Sequence, residues 1–243
     1  MTTLLEARGL HKSFGQLAAL GGASFTLEPR QFHGLIGPNG SGKSTLLKCL
    51  AGAVVPTSGC IYLAGQDITQ LSPAERSRRG LSLKFQITSV LPALTLYDNV
   101  QLALLGHAPL GSLLRGRGAS RERVLQLLEM VRLANRADEP ASALSHGEQQ
   151  WLEIAMALAS RPRVLLLDEP TGGMSVEERR ITGELLRPIK EHCSLVIVEH
   201  DLDFIRGLCD HLTVLDQGRI LASGTVAEIQ SDARVQEAYV RRV

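Results

Sequence analysis

The chain has 243 residues, 44% of them hydrophobic and 21% charged, which excludes a wholly disordered chain and suits one large α/β domain or a core with a smaller subdomain. Its 26 basic and 25 acidic residues leave a net charge of +1. That near-balance argues against a mainly electrostatic nucleic-acid binder, and the short basic stretches, "RSRRG" at Arg76–Gly80 and the closing "RRV", read as solvated surface.

In chain order, "HGLIG" (His33–Gly37) predicts a buried strand, followed by a glycine-rich turn and the helix "SGKSTLLKCLAG". "CIYLAGQ" and "LSLKFQ" predict further short strands. Between about Leu94 and Ser160 the texture turns helical, with a Gly- and Arg-rich exposed loop at His107–Ser120 and helical apolar spacing at Val124, Leu127, Leu128 and Val131. "PRVLLLDEP" (Pro162–Pro170) is continuously apolar and then abruptly acidic, as a strand buried on both faces would be, and "CSLVIVEHD" (Cys193–Asp201) repeats that layout. "HLTVLDQGRILASG" predicts a hairpin turned by Asp216-Gln217-Gly218. A helical subdomain therefore interrupts an α/β core. Cys49, Cys60, Cys193 and Cys209 form no C-x-x-C pair and read as reduced thiols of a cytosolic protein rather than a zinc or redox site. No signal peptide is read at the N-terminus, and no apolar run approaches the ~20 residues of a bilayer span.

"GPNGSGKST" (Gly37, Pro38, Asn39, Gly40, Ser41, Gly42, Lys43, Ser44, Thr45) matches G-x-x-x-x-G-K-[ST] between a predicted strand and a predicted helix, the context of a P-loop. Glycines there let backbone N–H groups turn in around phosphates, and the helix N-terminus adds a favourable dipole. Lys43 would neutralise β- and γ-phosphate charge, and Ser44 would ligate Mg2+. The segment fails G-x-G-x-x-G, so a dinucleotide site finds no support. Asp168, at the end of "VLLLD", would hold the Mg2+ shell, and Glu169 would polarise an attacking water as general base. His200 ends the next apolar strand and would reach the same edge of a parallel sheet.

Ser145, His146 and Glu148 have the residue types of a hydrolase triad, but no G-x-S-x-G elbow accompanies them, and triads are assembled from distant segments. Ser145 and Glu148 instead fit the capping box S-x-x-E, with the stripe Trp151, Ile154, Ala155 and Leu158 behind it. A helix start with a serine hydroxyl, a glycine and free N–H groups is a ready anion site.

The P-loop, "KFQ" ending in Gln86, "LSHGE" from Leu144, "VLLLDEP" and "VEHD" with His200 stand in the order of the ATP-binding-cassette (ABC) ATPases, which this chain resembles over nearly its whole length. The resemblance implies an α/β fold: a P-loop NTPase core with an antiparallel β part (RecA-like/β core about 1–90 and 161–243) and an inserted α-helical signature subdomain (about 91–160). It further implies that Phe14 stacks on adenine, where the alternative is a core phenylalanine. Gln86 would contact Mg2+ and water and link core to helical subdomain, and His200 would touch the γ-phosphate and hold the water with Glu169. Ser145 and Gly147 would contact the γ-phosphate of ATP held by the opposite subunit of a head-to-tail dimer. The sequence departs from the family at His146, which stands for a glycine and has no assigned role, and at Ser175, which replaces the aspartate that follows "DEP" in many members.

Within the family, "LSHGEQQWLEIAMALA", "VEHDLDFIR" and the tail "VQEAYVRR" are similar to the ATPase subunits that power import of branched-chain amino acids, amides or urea, most of all the urea type. That implies ATP and Mg2+ as cofactors and a dimer, homomeric or with a paralogous ATPase. It also implies integral-membrane permeases, a periplasmic substrate-binding protein served indirectly, no nucleic-acid partner, and a peripheral place on the cytoplasmic face of the inner membrane. The alternatives are the ATPase of a lipopolysaccharide-type exporter and a non-transport regulatory ABC ATPase. The regulatory class usually carries a second cassette, long coiled-coil insertions or a basic surface, none of which the sequence displays.

Overall fold

The computed structural model describes residues 3–84, 90–106 and 117–240. Strands β1 (Leu5–Phe14), β2 (Leu17–Leu27), β4 (Ser58–Leu63) and β5 (Gln66–Asp67) form an antiparallel sheet in the order β2-β1-β4-β5. Strands β3 (Phe32–Ile36), β6 (Leu81–Lys84), β7 (Val164–Asp168), β8 (Ser194–Val198), β9 (His211–Asp216) and β10 (Arg219–Thr225) form a second sheet ordered β10-β9-β3-β8-β7-β6. It is parallel from β9 to β6, with β10 antiparallel at its edge. Gln217 and Gly218, at φ 47° and 76°, make the tight two-residue turn of the β9–β10 hairpin.

Strands β3, β7 and β8 are buried at every position because both faces of the sheet are covered. In β7, Val164 and Leu166 enter the core shared with the antiparallel sheet and α1 (Lys43–Ala51). Leu165 and Leu167 enter the opposite core, with the helices α3 (Leu96–Gly106), α4 (Arg117–Met130) and α5 (His146–Leu158). The stripe read from "RERVLQLLEMVRL" holds: Val124, Leu127, Leu128 and Val131 are all buried. Helices α6 (Val176–Leu186) and α7 (Leu202–Leu208) follow β7 and β8, and α8 (Val226–Ser231) and α9 (Ala233–Val240) follow the β9–β10 hairpin. Among the described residues no helix is long and apolar enough to cross a membrane.

Two expectations are overturned. Residues 117–120, read as the end of an exposed loop, form the first turn of α4, and the remainder of that loop, 107–116, lies outside the described residues. Arg76, read as solvated surface, lies in α2 (Pro73–Arg78) and is fully buried. Its guanidinium donates to Cys49 O at 2.7 Å, Leu50 O at 2.6 Å, Thr69 O at 2.8 Å and Leu71 O at 3.0 Å. Cys49 and Leu50 close α1, whose last carbonyls have no partner within the helix, so a cation there satisfies them and complements the helix dipole. Both arginines of the closing "RRV" lie outside the described residues.

Candidate functional site

The loop between β3 and α1 has its shape enforced by close approach. A Cβ on Gly37 (φ 145°) would stand 2.1 Å from Leu215 O, and one on Gly42 (φ 104°) 2.6 Å from Ala19 O. The hairpin turn braces this loop, because Gly218 N donates to Ser41 O at 2.9 Å while Gly218 O accepts from Gly21 N at 2.8 Å. Gly42 caps α1 without any side-chain hydrogen bond, so the first-turn N–H groups face whatever lies above the loop. Lys43 is buried and donates to Gly37 O at 2.7 Å and Pro38 O at 3.0 Å. Burial lowers its pKa, against the pull of Glu169 and Asp168.

Those carboxylates come from the end of β7. Asp168 is buried, and its Oδ1 is sealed from water with no hydrogen-bond partner among the described residues. Burial first, and Glu169 second, push its pKa up, while Lys48, Lys43 and Lys84 pull it down. Glu169 sits at φ 48°, a left-handed conformation that a glutamate adopts only under constraint. Its backbone N–H is tied to Val198 O at 2.9 Å, and its Oε1 lies 3.0 Å from His200 Nε2.

Glu169, His200, Asn39 to Thr45, Phe14, Leu17, Ala18 and Ala19 line one cleft of about 340 Å3. Phe14 is 50% exposed on its wall, not in the core, with Lys12 Nζ 5.0 Å from the ring centroid. Gly37 and Pro38 lie beneath as the carbonyls that hold Lys43. Gln86 falls outside the described residues. Lys84, two positions earlier, is buried on α5: it bonds Gln150 and lies 3.1 Å from Glu153. The strand that leads into Gln86 is thereby tied to the helix that begins after Ser145.

Ser145 and Gly147 are not among the residues that line this cleft. Ser145 is the N-cap of α5, with Glu148 N donating to Ser145 Oγ at 3.2 Å and Ser145 N to Glu148 Oε2 at 2.8 Å, so the capping box holds. His146 Nε2 lies 3.0 Å from Gly172 O, which joins this helix start to the loop after "DEP". Ser175 caps α6 in a second capping box with Glu178. Gly147 is buried against that same carboxylate, where a Cβ would stand 2.5 Å from Glu178 Oε1. Bonds from Ser175 and Ser145, with the charge of His146, lower the Glu178 pKa. Within the chain, then, Glu178 joins the capping-box carboxylate of Glu148 as an anion beside the α5 N-terminus.

Sequence reasoning missed Glu178, although S-x-x-E at Ser175–Glu178 repeats the signal used for α5. It also passed over Glu199. That carboxylate is buried and accepts from Thr171 N at 2.8 Å, Thr171 Oγ1 at 2.6 Å and His200 N at 3.1 Å. It clamps the loop after Glu169 to the start of the His200 segment. Among the described residues, no group of three or more His, Cys, Asp or Glu could hold a metal. Asp168 Oδ1 and the Ser44 hydroxyl are hard oxygen donors beside the phosphate loop, and they fit a Mg2+ ion that completes its shell with water and phosphate oxygens.

Comparison with known proteins gives these features a family. Residues 20–172 match the ABC transporter family, and residues 219–240 match the segment named Branched-chain amino acid ATP-binding cassette transporter. The chain is 32% identical to the High-affinity branched-chain amino acid transport ATP-binding protein LivG of Escherichia coli, over 98% of this chain and 97% of that one. It is 34% identical, over the same shares, to BraF of Pseudomonas aeruginosa, which carries the same description. Among solved structures, the ADP conformation of an ATP-binding cassette of an ABC transporter superposes with a TM-score of 0.88 at 30% identity, over 99% of both chains. A bacterial ABC transporter cassette solved as a dimer matches with a TM-score of 0.81 at 27% identity, over 92% of this chain and 99% of that one. These relatives favour neither the exporter nor the regulatory alternative.

Proposed function

The chain belongs to the ABC transporter family and is a nucleotide-binding ATPase; on that premise we propose that it powers a multi-subunit importer of branched-chain amino acids. It would work as a dimer, bound to separate permease subunits at the cytoplasmic face of the membrane. The observation that carries the proposal is the single cleft in which Phe14, the P-loop, Glu169 and His200 converge.

In this reading Phe14 stacks on adenine, and the P-loop N–H groups and Lys43 hold the phosphates. Ser44 and Asp168 would hold Mg2+, which would supply neutralising charge to the phosphates. Glu169 takes a proton from water as the water oxygen attacks the γ-phosphorus and ADP departs. His200, 3.0 Å from Glu169, keeps that carboxylate aimed and donates toward the γ-phosphate. The strained backbone of Glu169 fixes the base in place before substrate binds. Ser145 and Gly147, on a helix start outside the cleft lining, are assigned to the γ-phosphate of the partner subunit's ATP. Glu178 must turn aside for that phosphate, since two anions at one helix start repel. Gln86 retains its assigned role between core and helices.

The test is capture of the chain from solubilised membranes, followed by reconstitution with the multi-span subunits that accompany it. ATP-driven uptake of leucine, abolished by Lys43→Ala, is the expected result. Uptake confined to urea or simple amides, or recovery only with ribosomes or nucleic acid, would overturn the proposal.

A further inference from the structure

A second cavity, of about 500 Å3, lies away from the nucleotide cleft and is lined by Arg123, Met130, Leu158, Arg161, Pro162, Pro188, Ile189, Glu191, His192 and Cys193. It opens where α4 and the end of α5 meet the turn Arg187–Glu191 before β8. The volume suits a small organic molecule rather than a few waters. Its chemistry is divided. Met130, Leu158, Pro162, Pro188 and Ile189 give an apolar wall, and Arg123 and Arg161 bring positive charge to the same space.

Neither arginine has a satisfying partner among the described residues. Arg123 Nε is sealed from water with no hydrogen-bond partner, and Arg123 Nη1 reaches Gln126 Oε1 only at 3.5 Å. Burial and the neighbouring Arg161 charge both act against the protonated Arg123. Arg161 is held at φ 51°, a conformation that disfavours a branched or long side chain unless the surroundings impose it. Like charges brought together over an apolar wall, one with a buried donor unpaired, are stabilised by an anion whose body is apolar.

We propose that this cavity binds a small aliphatic carboxylate, the carboxylate on Arg123 and Arg161 and the hydrocarbon body against Met130, Leu158, Pro188 and Ile189. Two sources share that chemistry: a branched-chain amino acid and its deaminated acid. Glu191 discriminates between them, because its carboxylate on the cavity wall can receive an ammonium group. Occupancy would tie α4 and the end of α5 to the core strand that follows Glu191. The assignment rests on the cavity and not on the import reading.

The experiment is calorimetric titration of the full chain, with the nucleotide cleft filled by ADP, using L-leucine, 4-methylpentanoate and inorganic phosphate as probes. Saturable binding of leucine or 4-methylpentanoate is expected, weakened at least tenfold by Arg123→Gln and by Arg161→Gly. The second variant removes the charge at an exposed residue and relaxes the left-handed backbone, so its fold is secure. Tighter binding of leucine than of 4-methylpentanoate identifies the amino acid as the source, and the reverse identifies the deaminated acid. Failure of both organic probes, phosphate binding as tightly as either, or affinity unchanged in both variants would overturn the proposal. Leucine transport measured separately distinguishes this failure from failure of the import reading.

Discussion

Arg76 offers a test of how the P-loop helix is anchored. Removing its guanidinium in Arg76→Met keeps much of the side-chain volume but takes the side-chain donor from the carbonyls of Leu50, Thr69 and Leu71, and from that of Cys49, which keeps Gly52 N. Hydrogen bonds from a charged donor contribute about 1.5–3 kcal/mol each. Against them stands the cost of holding a charge inside the protein: burial brings the Arg76 pKa down to about 10, a fall that costs about 3 kcal/mol. Bonds that share one guanidinium do not add fully, so the net loss is expected at about 3–5 kcal/mol. Urea denaturation is the assay, and the midpoint should fall by about 1–2 M with the slope unchanged. Arg76→Lys, which keeps the charge but offers a point donor in place of a fork, should recover less than half of the loss. A midpoint for Arg76→Met within the equivalent of about 1 kcal/mol of wild type would refute the reasoning.

The remaining expectations concern acid stability and nucleotide recognition. His33 is buried, with Nε2 2.8 Å from Thr213 Oγ1, and burial, then the nearby His211, push its pKa down to about 3. The unfolded chain takes up a proton near the ordinary histidine value while the folded chain does not, so stability is lost as pH falls below about 6.5. The loss should reach about 2 kcal/mol by pH 5, and His33→Gln should flatten that slope in urea titrations at each pH; an unchanged slope contradicts the assignment. Phe14→Ala should raise KM for ATP about tenfold with kcat nearly unchanged, since one stacked base is worth about 1–3 kcal/mol. An unaltered KM in steady-state assays would remove Phe14 from the site.

The features legible in the sequence were those set by short-range pattern. A strand, a glycine-rich turn and a helix start in succession leave few conformations, so Gly37 to Thr45 could be placed before any contact was known. Parallel pairing brought Glu169 and His200 to one edge, as the apolar runs that end in charge implied. Ser145 with Glu148 was readable because a capping box is an i, i+3 signal. What escaped depends on contacts distant in sequence. Arg76 is buried only because carbonyls at Cys49 and Leu50, with others nearer in sequence, surround it. The partner of His146, Gly172, stands 26 residues away. Ser175 is the exception: read as a lost acid, it is a helix cap of the same i, i+3 kind as Ser145 and orients Glu178 toward Gly147.

The central claim is that Glu169, held 3.0 Å from His200 on the edge of the P-loop cleft, is the base for ATP hydrolysis. The most direct measurement compares turnover and ATP affinity of Glu169→Gln with wild type, with oligomeric state followed by size-exclusion chromatography in ATP. General-base loss should lower kcat by about 100-fold or more, leave ATP affinity within a few-fold, and let an ATP-bound dimer accumulate. Hydrolysis by Glu169→Gln at near wild-type rate would contradict the account.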